Sequence, residues 1–152
     1  MEESLGINPS INKFNIRVYG IAISSKMEVL LCEENYHEKK FTKFPGGGLE
    51  FGEGLVDCLH REFQEELNAE IDVVRHFYTT EFFQRSLFFQ TDQLISIYYL
   101  VKIKDEGLLE VSNIAHNISK FFWQPLHQLK KEHLTFPIDQ LVAMQLREGF
   151  LK

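Results

Sequence analysis

The sequence predicts an α/β fold in which a mixed β-sheet is covered on both faces by helices. Three observations carry this. Runs rich in Ile, Val, Tyr and Phe alternate with two stretches whose apolar residues recur at helical spacing, the pattern of strand pairs separated by helices. A length of 152 residues suits one domain, residues 1–152, with a single sizeable core. A glycine-rich corner, Phe44-Pro45-Gly46-Gly47-Gly48-Leu49-Glu50-Phe51-Gly52-Glu53-Gly54, runs without a break into a helical stretch from Leu55 to Ala69.

Met1 to Pro9 lacks the basic start and apolar core of a signal peptide and reads as a loose lead-in. Asn15 to Ser24 and Glu28 to Cys32 are β-prone, and a turn around Ser25-Lys26 joins them as a hairpin. The charged stretch Glu33 to Lys40 reads as a loop that leads through Phe41-Thr42-Lys43-Phe44 into the glycine corner. Lys39, Lys40 and Lys43 could approach a phosphate from there, but solvation is the simpler expectation. After the helix, Glu70 to Phe83 and Gln93 to Lys104 are long and apolar on both faces, the mark of central strands. Asp105-Glu106-Gly107 is a turn signal and Leu108 to Val111 starts a short strand. Lys120 to Gln124 is a later strand, Pro125 opens a short helix through Lys131, and Pro137 starts an amphipathic helix to about Glu148.

Apolar content of 44% and charge of 25% are ordinary for a soluble globular protein. A formal net charge of −6 with no basic run argues against a nucleic acid polymer as partner. A small phosphorylated substrate remains compatible if a metal supplies local positive charge. Cys32 and Cys58 stand outside any paired spacing and read as reduced, buried thiols of a cytoplasmic protein. The longest apolar run, Leu94 to Val101, is strand-sized, so no membrane segment is expected. The histidines show no metal-ligand spacing.

In the central helix, Val56, Leu59, Phe63 and Leu67 fall on one stripe at about 100° per residue, and Glu62, Glu65 and Glu66 cluster on a neighbouring one. Their i, i+3, i+4 relation makes them mutually repelling neighbours. Arg61 could offset one of them. A hard cation does so better, and Mg²⁺ characteristically takes carboxylates, waters and phosphate oxygens. Taken alone, three glutamates on an amphipathic helix are a solvated face. The adjacent Gly46, Gly47 and Gly48 weigh against that reading, because such a cluster implies positive φ or the close approach of a ligand, and a loop-to-helix junction suits anions and their bound metals.

The spacing Gly47, five residues, Glu53, seven residues, Arg61-Glu62-Phe63-x-Glu65-Glu66 resembles the signature of the Nudix hydrolases. Seven of nine specified positions match across Gly47 to Ala69, a coincidence expected on the order of once in ten million fixed-frame trials. Asn68 replaces the expected Gly, a mild departure because Asn also tolerates the left-handed helix end. Ala69 replaces a bulky aliphatic. The resemblance implies an α/β/α sandwich and a site binding Mg²⁺ or Mn²⁺. At the matching positions it implies Glu65 and Glu66 as metal ligands, Glu62 as a ligand or the base, and a carbonyl from Gly46. Glu50 would join the metal site. Gly46, Gly47 and Gly48 would line the substrate, Arg61 would orient a glutamate, and Glu53 would brace the loop or reach an additional metal. The family often adds an acidic residue before a strand bearing a Trp. Here Asn113 to Ser119, ahead of Trp123, holds no carboxylate, which leaves the helix, Glu110 or His116 to supply the base.

The reading that follows is hydrolysis of a phosphoanhydride in a nucleoside diphosphate linked to another group, either a nucleoside triphosphate or a nucleotide sugar. A catalytically silent nucleotide-binding module of the same fold is the alternative, and the retained Glu62, Glu65 and Glu66 weigh against it. The regulators among such proteins usually append a DNA-binding domain, for which the chain has no room. Isomerase chemistry on an isoprenoid diphosphate would want a reactive cysteine, but Cys32 sits in a strand pattern and Cys58 on the packing half of the helix. Phe77, Tyr78, Phe82, Phe83, Phe88 and Phe89 could stack on a nucleobase, with core packing or a homodimer face as the plainer expectation.

Overall fold

The computed structural model of the protein describes residues 11–106 and 118–151. Its elements run β1 (Lys13–Ala22), β2 (Glu28–Tyr36), β3 (Lys39–Lys43), β4 (Gly46–Gly48), α1 (Leu55–Leu67), β5 (Ile71–Thr79), β6 (Asp92–Ile103), β7 (Ile118–Pro125) and α2 (Pro137–Leu151). Strand alternation decides how they stack. On β1 and β6, Val18, Ala22, Val101 and Ile103 face a core built with Leu59, Phe63 and Leu67 of α1. The intervening residues Ile21, Tyr98 and Leu100 face a second core with Ile138, Val142 and Leu146 of α2. Period 2 along the strands thus gives each helix its own face, and the architecture is an α/β sandwich.

The sheet layer has two parts. A four-stranded mixed sheet has the order β4-β1-β6-β5, with β1 parallel to β6 and the other pairs antiparallel. An antiparallel sheet has the order β3-β2-β7. Both parts feed both cores, since Leu30 of β2 joins the α1 side and Val29 and Leu31 join the α2 side.

Several sequence expectations change. The first two strands do not form a hairpin: the bridge Ile23–Val29 and the bond from Ser24 N to Glu28 O link their ends at the turn, and they enter different sheets. The turn itself exists, with Met27 at φ 58°. The hairpin lies one step later. Glu33 to Lys40 is not a loop but the end of β2, a two-residue turn and the start of β3. His37 and Glu38 both have positive φ, 48° and 64°, which matches the twist of antiparallel strands. Of the two long strands, β6 is central, but β5 is an edge strand with Val74 exposed. The helix expected after Pro125 is two short 3₁₀ turns, Leu126–Gln128 and Lys131–His133. The lead-in Met1 to Pro9, the strand expected at Leu108 to Val111, and the base candidates Glu110 and His116 lie outside the described residues.

Candidate active site

α1 starts where the amide of Gly54 donates to the Asp57 carboxylate at 2.9 Å, a first-turn acid that also suits the positive end of the helix. It stops at Asn68, which takes the left-handed conformation expected of it (φ 52°, ψ 39°). The buried residues are Cys58, Leu59, Glu62, Phe63, Glu66 and Leu67, a stripe recurring every four residues. Val56, expected on that stripe, is exposed. Burying Leu59, Phe63 and Leu67 stabilises by roughly 1.5–3 kcal/mol each, and this packing carries Glu62 and Glu66 inward with it.

The three helix glutamates therefore separate. Glu62 and Glu66 are buried while Glu65 stays exposed. The expected glycine loop is strand β4, its register pairing Val18 with Gly47. The flanking bonds from Gly20 N to Pro45 O and from Leu49 N to Ile16 O fix the ladder phase. By alternation, Gly47 turns its backbone groups toward β1, while Gly46 and Gly48 turn theirs away.

Arg61 is the hub. Its Nη2 and Nε donate to the two oxygens of Glu53 at 2.7 and 3.0 Å, a two-pronged grip suited to a guanidinium. Nη1 donates to Glu62 at 2.9 Å and to Glu65 at 3.3 Å, and Nη2 also reaches the Gly48 carbonyl at 3.0 Å. Glu50, largely exposed, lies 3.7 Å from Nε. Glu53 in turn accepts from the Glu50 amide at 2.9 Å, which closes the turn between β4 and α1. The Arg61 hydrogen bonds, helped by that amide, hold the Glu53 carboxyl down at about 2.

Glu66 is different. Burial pushes its carboxyl up to about 9, with the Lys43 ammonium pulling against the shift and the neighbouring Glu62 carboxylate adding to it. Its Oε2 is buried without a hydrogen-bond partner, a state that costs about 1–3 kcal/mol. Among the described residues, no three His, Cys, Asp or Glu side chains converge into a ready-made metal cluster, because Arg61 sits at the focus of Glu53, Glu62 and Glu65. The donor set still fits a hard divalent cation: all are oxygens, and one is buried and unpartnered.

A cavity of about 370 Å³ opens beside this corner, within the size range of small-molecule sites. One end is aromatic. Phe88 meets Tyr36 and Phe41 edge-on at 4.7 and 5.2 Å, and Phe41 stacks on Phe136 at 5.5 Å. Of the rings noted in the sequence, Phe82, Phe88 and Phe89 line the cavity, Phe77 and Tyr78 pack on the α2 core, and Phe83 is solvent-exposed.

The other end carries residues that sequence reasoning missed or misjudged. Arg17 donates to the Tyr19 hydroxyl at 3.2 Å. Lys43, expected in solvent, is buried and pairs with Glu34 at 3.1 Å. Lys39 and Lys40 are exposed as expected. The signal for Arg17 was available, as a charge inside the apolar run Ile16-Arg17-Val18. Asp139, also on the cavity wall, accepts from the Tyr98 hydroxyl at 2.5 Å, and burial pushes it up to about 6. Cys32 and Cys58 are buried free thiols, each pushed up to about 12 chiefly by burial. No helix among the described residues is long and apolar enough to cross a membrane.

The description "NUDIX domain" matches residues 13–144. The chain is 26% identical over 118 residues to an RNA pyrophosphohydrolase of Helicobacter pylori, covering 72% of this chain and 76% of that one. Its fold resembles a MutT NUDIX hydrolase from Burkholderia pseudomallei (TM-score 0.71, 15% identity, 89% and 99% of the two chains). It also resembles a UDP-X diphosphatase (TM-score 0.64, 18% identity, 97% and 70%). With the domain match spanning most of the chain, the chain belongs to the NUDIX domain family and is a Nudix hydrolase.

Proposed function

We propose that the protein hydrolyses a phosphoanhydride bond in a nucleoside diphosphate linked to another group, a nucleoside triphosphate or a nucleotide sugar, with Mg²⁺ or Mn²⁺ as cofactor. The observation that carries this is the buried, unpartnered Glu66 oxygen, acted on by Glu62 and by Lys43 of the aromatic-ended cavity's wall. Glu62 and Glu66 would hold the ion, joined by Glu65 once it leaves Arg61, by the outward backbone of Gly46 and by Glu50 at the rim. When bound, the ion would offset charge on the diphosphate and lower the pKa of water.

The remaining work falls to the chain itself. Arg61 keeps Glu62 oriented and, through Glu53, holds the turn between β4 and α1 in place. A glutamate of α1 would take the proton from the attacking water. The Tyr36, Phe41 and Phe88 rings would take the flat face of a base, and Gly47 and Gly48 allow the diphosphate to pass close to the strand. A small nucleotide suits the net charge of −6 better than a polymer, although the Helicobacter pylori relative is named for RNA. The burial that raises both thiols disfavours cysteine-dependent isomerisation.

The test is a panel of nucleoside triphosphates, nucleotide sugars and one 5′-triphosphorylated oligoribonucleotide, assayed with Mg²⁺ for released phosphate, pyrophosphate or nucleoside monophosphate. One small nucleotide should turn over, and Glu65→Gln or Glu66→Gln should lower the rate by about 100-fold or more. A panel that binds but is never cleaved would establish the silent module instead. Turnover of the oligoribonucleotide alone would replace the small substrate with an RNA end.

A further inference from the structure

The cavity wall carries several charged or polar groups already committed to a neighbour. Lys43 holds Glu34 at 3.1 Å, Asp139 accepts from Tyr98, and the Asn15 amide donates to Asp92 at 3.4 Å. Arg17 is committed only in part. Of its five N–H bonds, Nε–H goes to the Tyr19 hydroxyl, and among the described residues the four on Nη1 and Nη2 meet no acceptor.

Its position is as telling as its spare donors. The guanidinium lies 5.8 Å from the centre of the Tyr19 ring. The register sets Arg17 opposite Gly48, with Nη1 3.5 Å from where a β-carbon on that glycine would stand. The carbonyl of Gly48 is the one Arg61 holds. Arg17 therefore stands between the aromatic end of the cavity and the carboxylate corner, half-buried, with a planar fork of donors of the kind that matches phosphate oxygens.

We propose that Arg17 is the residue that grips the substrate phosphate nearest the base, and that it thereby sets which anhydride lies against Glu62 and Glu66. This rests on the nucleotide reading of the site. In a nucleotide sugar, and in a triphosphate cut to the monophosphate, that phosphate is one side of the broken anhydride and changes charge as it breaks, so the contact acts on KM and kcat together and is read in kcat/KM.

The full chain, kept in excess EDTA, is titrated calorimetrically with the four ribonucleosides and their 5′-monophosphates and 5′-diphosphates. For the preferred base, the monophosphate should bind at least about 10-fold more tightly than the nucleoside. Arg17→Gln should erase that difference, and Arg17→Lys, which keeps the charge without the fork, should retain part of it. With Mg²⁺ and a cleaved panel member, Arg17→Gln should raise KM and lower kcat/KM by about 10-fold or more. Thermal melts of both variants verify folding, and the Lys variant carries the test if the Gln variant does not accumulate. Equal binding of monophosphate and nucleoside, or a variant that loses kcat at unchanged KM, overturns the assignment. If the wild-type chain neither binds nor cleaves any nucleotide, the reading of the site has failed; if it cleaves one and Arg17→Gln keeps the same KM, only the role of Arg17 has.

Discussion

The carboxylate of Glu62 occupies the space that a β-carbon on Gly47 would need. Strand β4 and helix α1 approach that closely because nothing but hydrogen stands on the glycine. Gly47→Ala should push the flexible end of Glu62 aside and leave the backbone in place. The expected result is a kcat lowered about 100-fold or more, with the melting temperature within a few degrees of wild type. Gly46→Ala should behave in the opposite way. That residue has φ 147°, and its β-carbon would strike the Val18 carbonyl, a backbone atom that cannot swing away. A loss on the order of 3 kcal/mol, read by denaturant unfolding, is expected.

Arg61 holds Glu53, Glu62, Glu65 and the Gly48 carbonyl at once. A lysine ammonium has the charge but not the planar fork. Arg61→Lys should lower kcat/KM by about 10- to 100-fold, and Arg61→Ala by more, because it leaves several carboxylates facing one another. Steady-state kinetics on the cleaved panel member separate the two.

Divalent metal should stabilise the fold. Saturation at about 100 times Kd adds about 2.7 kcal/mol, or roughly 5–10 °C in melting temperature for a chain of this size. Differential scanning fluorimetry with Mg²⁺ or Mn²⁺ against EDTA reads it. Glu66→Gln should lose most of the shift, and its apo form should melt no lower than wild type, since the substitution removes an ionisable group from an apolar place.

Two carboxyls give opposite pH limbs. Glu53 is lowered from an ordinary 4.5 to about 2, so its contribution is present above 4.5 and is lost as pH falls through 2. Asp139 is raised from 3.8 to about 6, so its contribution is present below 3.8 and is lost as pH rises through 6. In apo protein, Glu53→Gln should flatten the fall in stability between pH 4.5 and 2, and Asp139→Asn the fall between pH 4 and 6. Urea unfolding as a function of pH measures both.

The helix, its left-handed end at Asn68 and the offsets of Glu53 and Arg61 from the glycines were legible in the chain. Each depends on residues within one or two turns of one another, where periodicity and end chemistry act directly. Strand partners were not legible. β1 lies parallel to β6, pairing Lys13 with Asp92, and β-propensity does not say which run a strand will join. That long-range pairing displaced the expected first hairpin and sent β5 to the edge.

The same division runs through the site. Sequence alone singled out the candidates for the chemistry, because the carboxylates, the arginine and the glycines stand at fixed offsets on one strand, turn and helix. Only the tertiary structure decided which of them leave water: packing of Leu59, Phe63 and Leu67 drew Glu62 and Glu66 inward and left Glu65 outside. It also drew Arg17 and Lys43, from two other strands, to the cavity beside them. Desolvation and approach across the sheets are properties of the packed layers, and no local run of residues contains them.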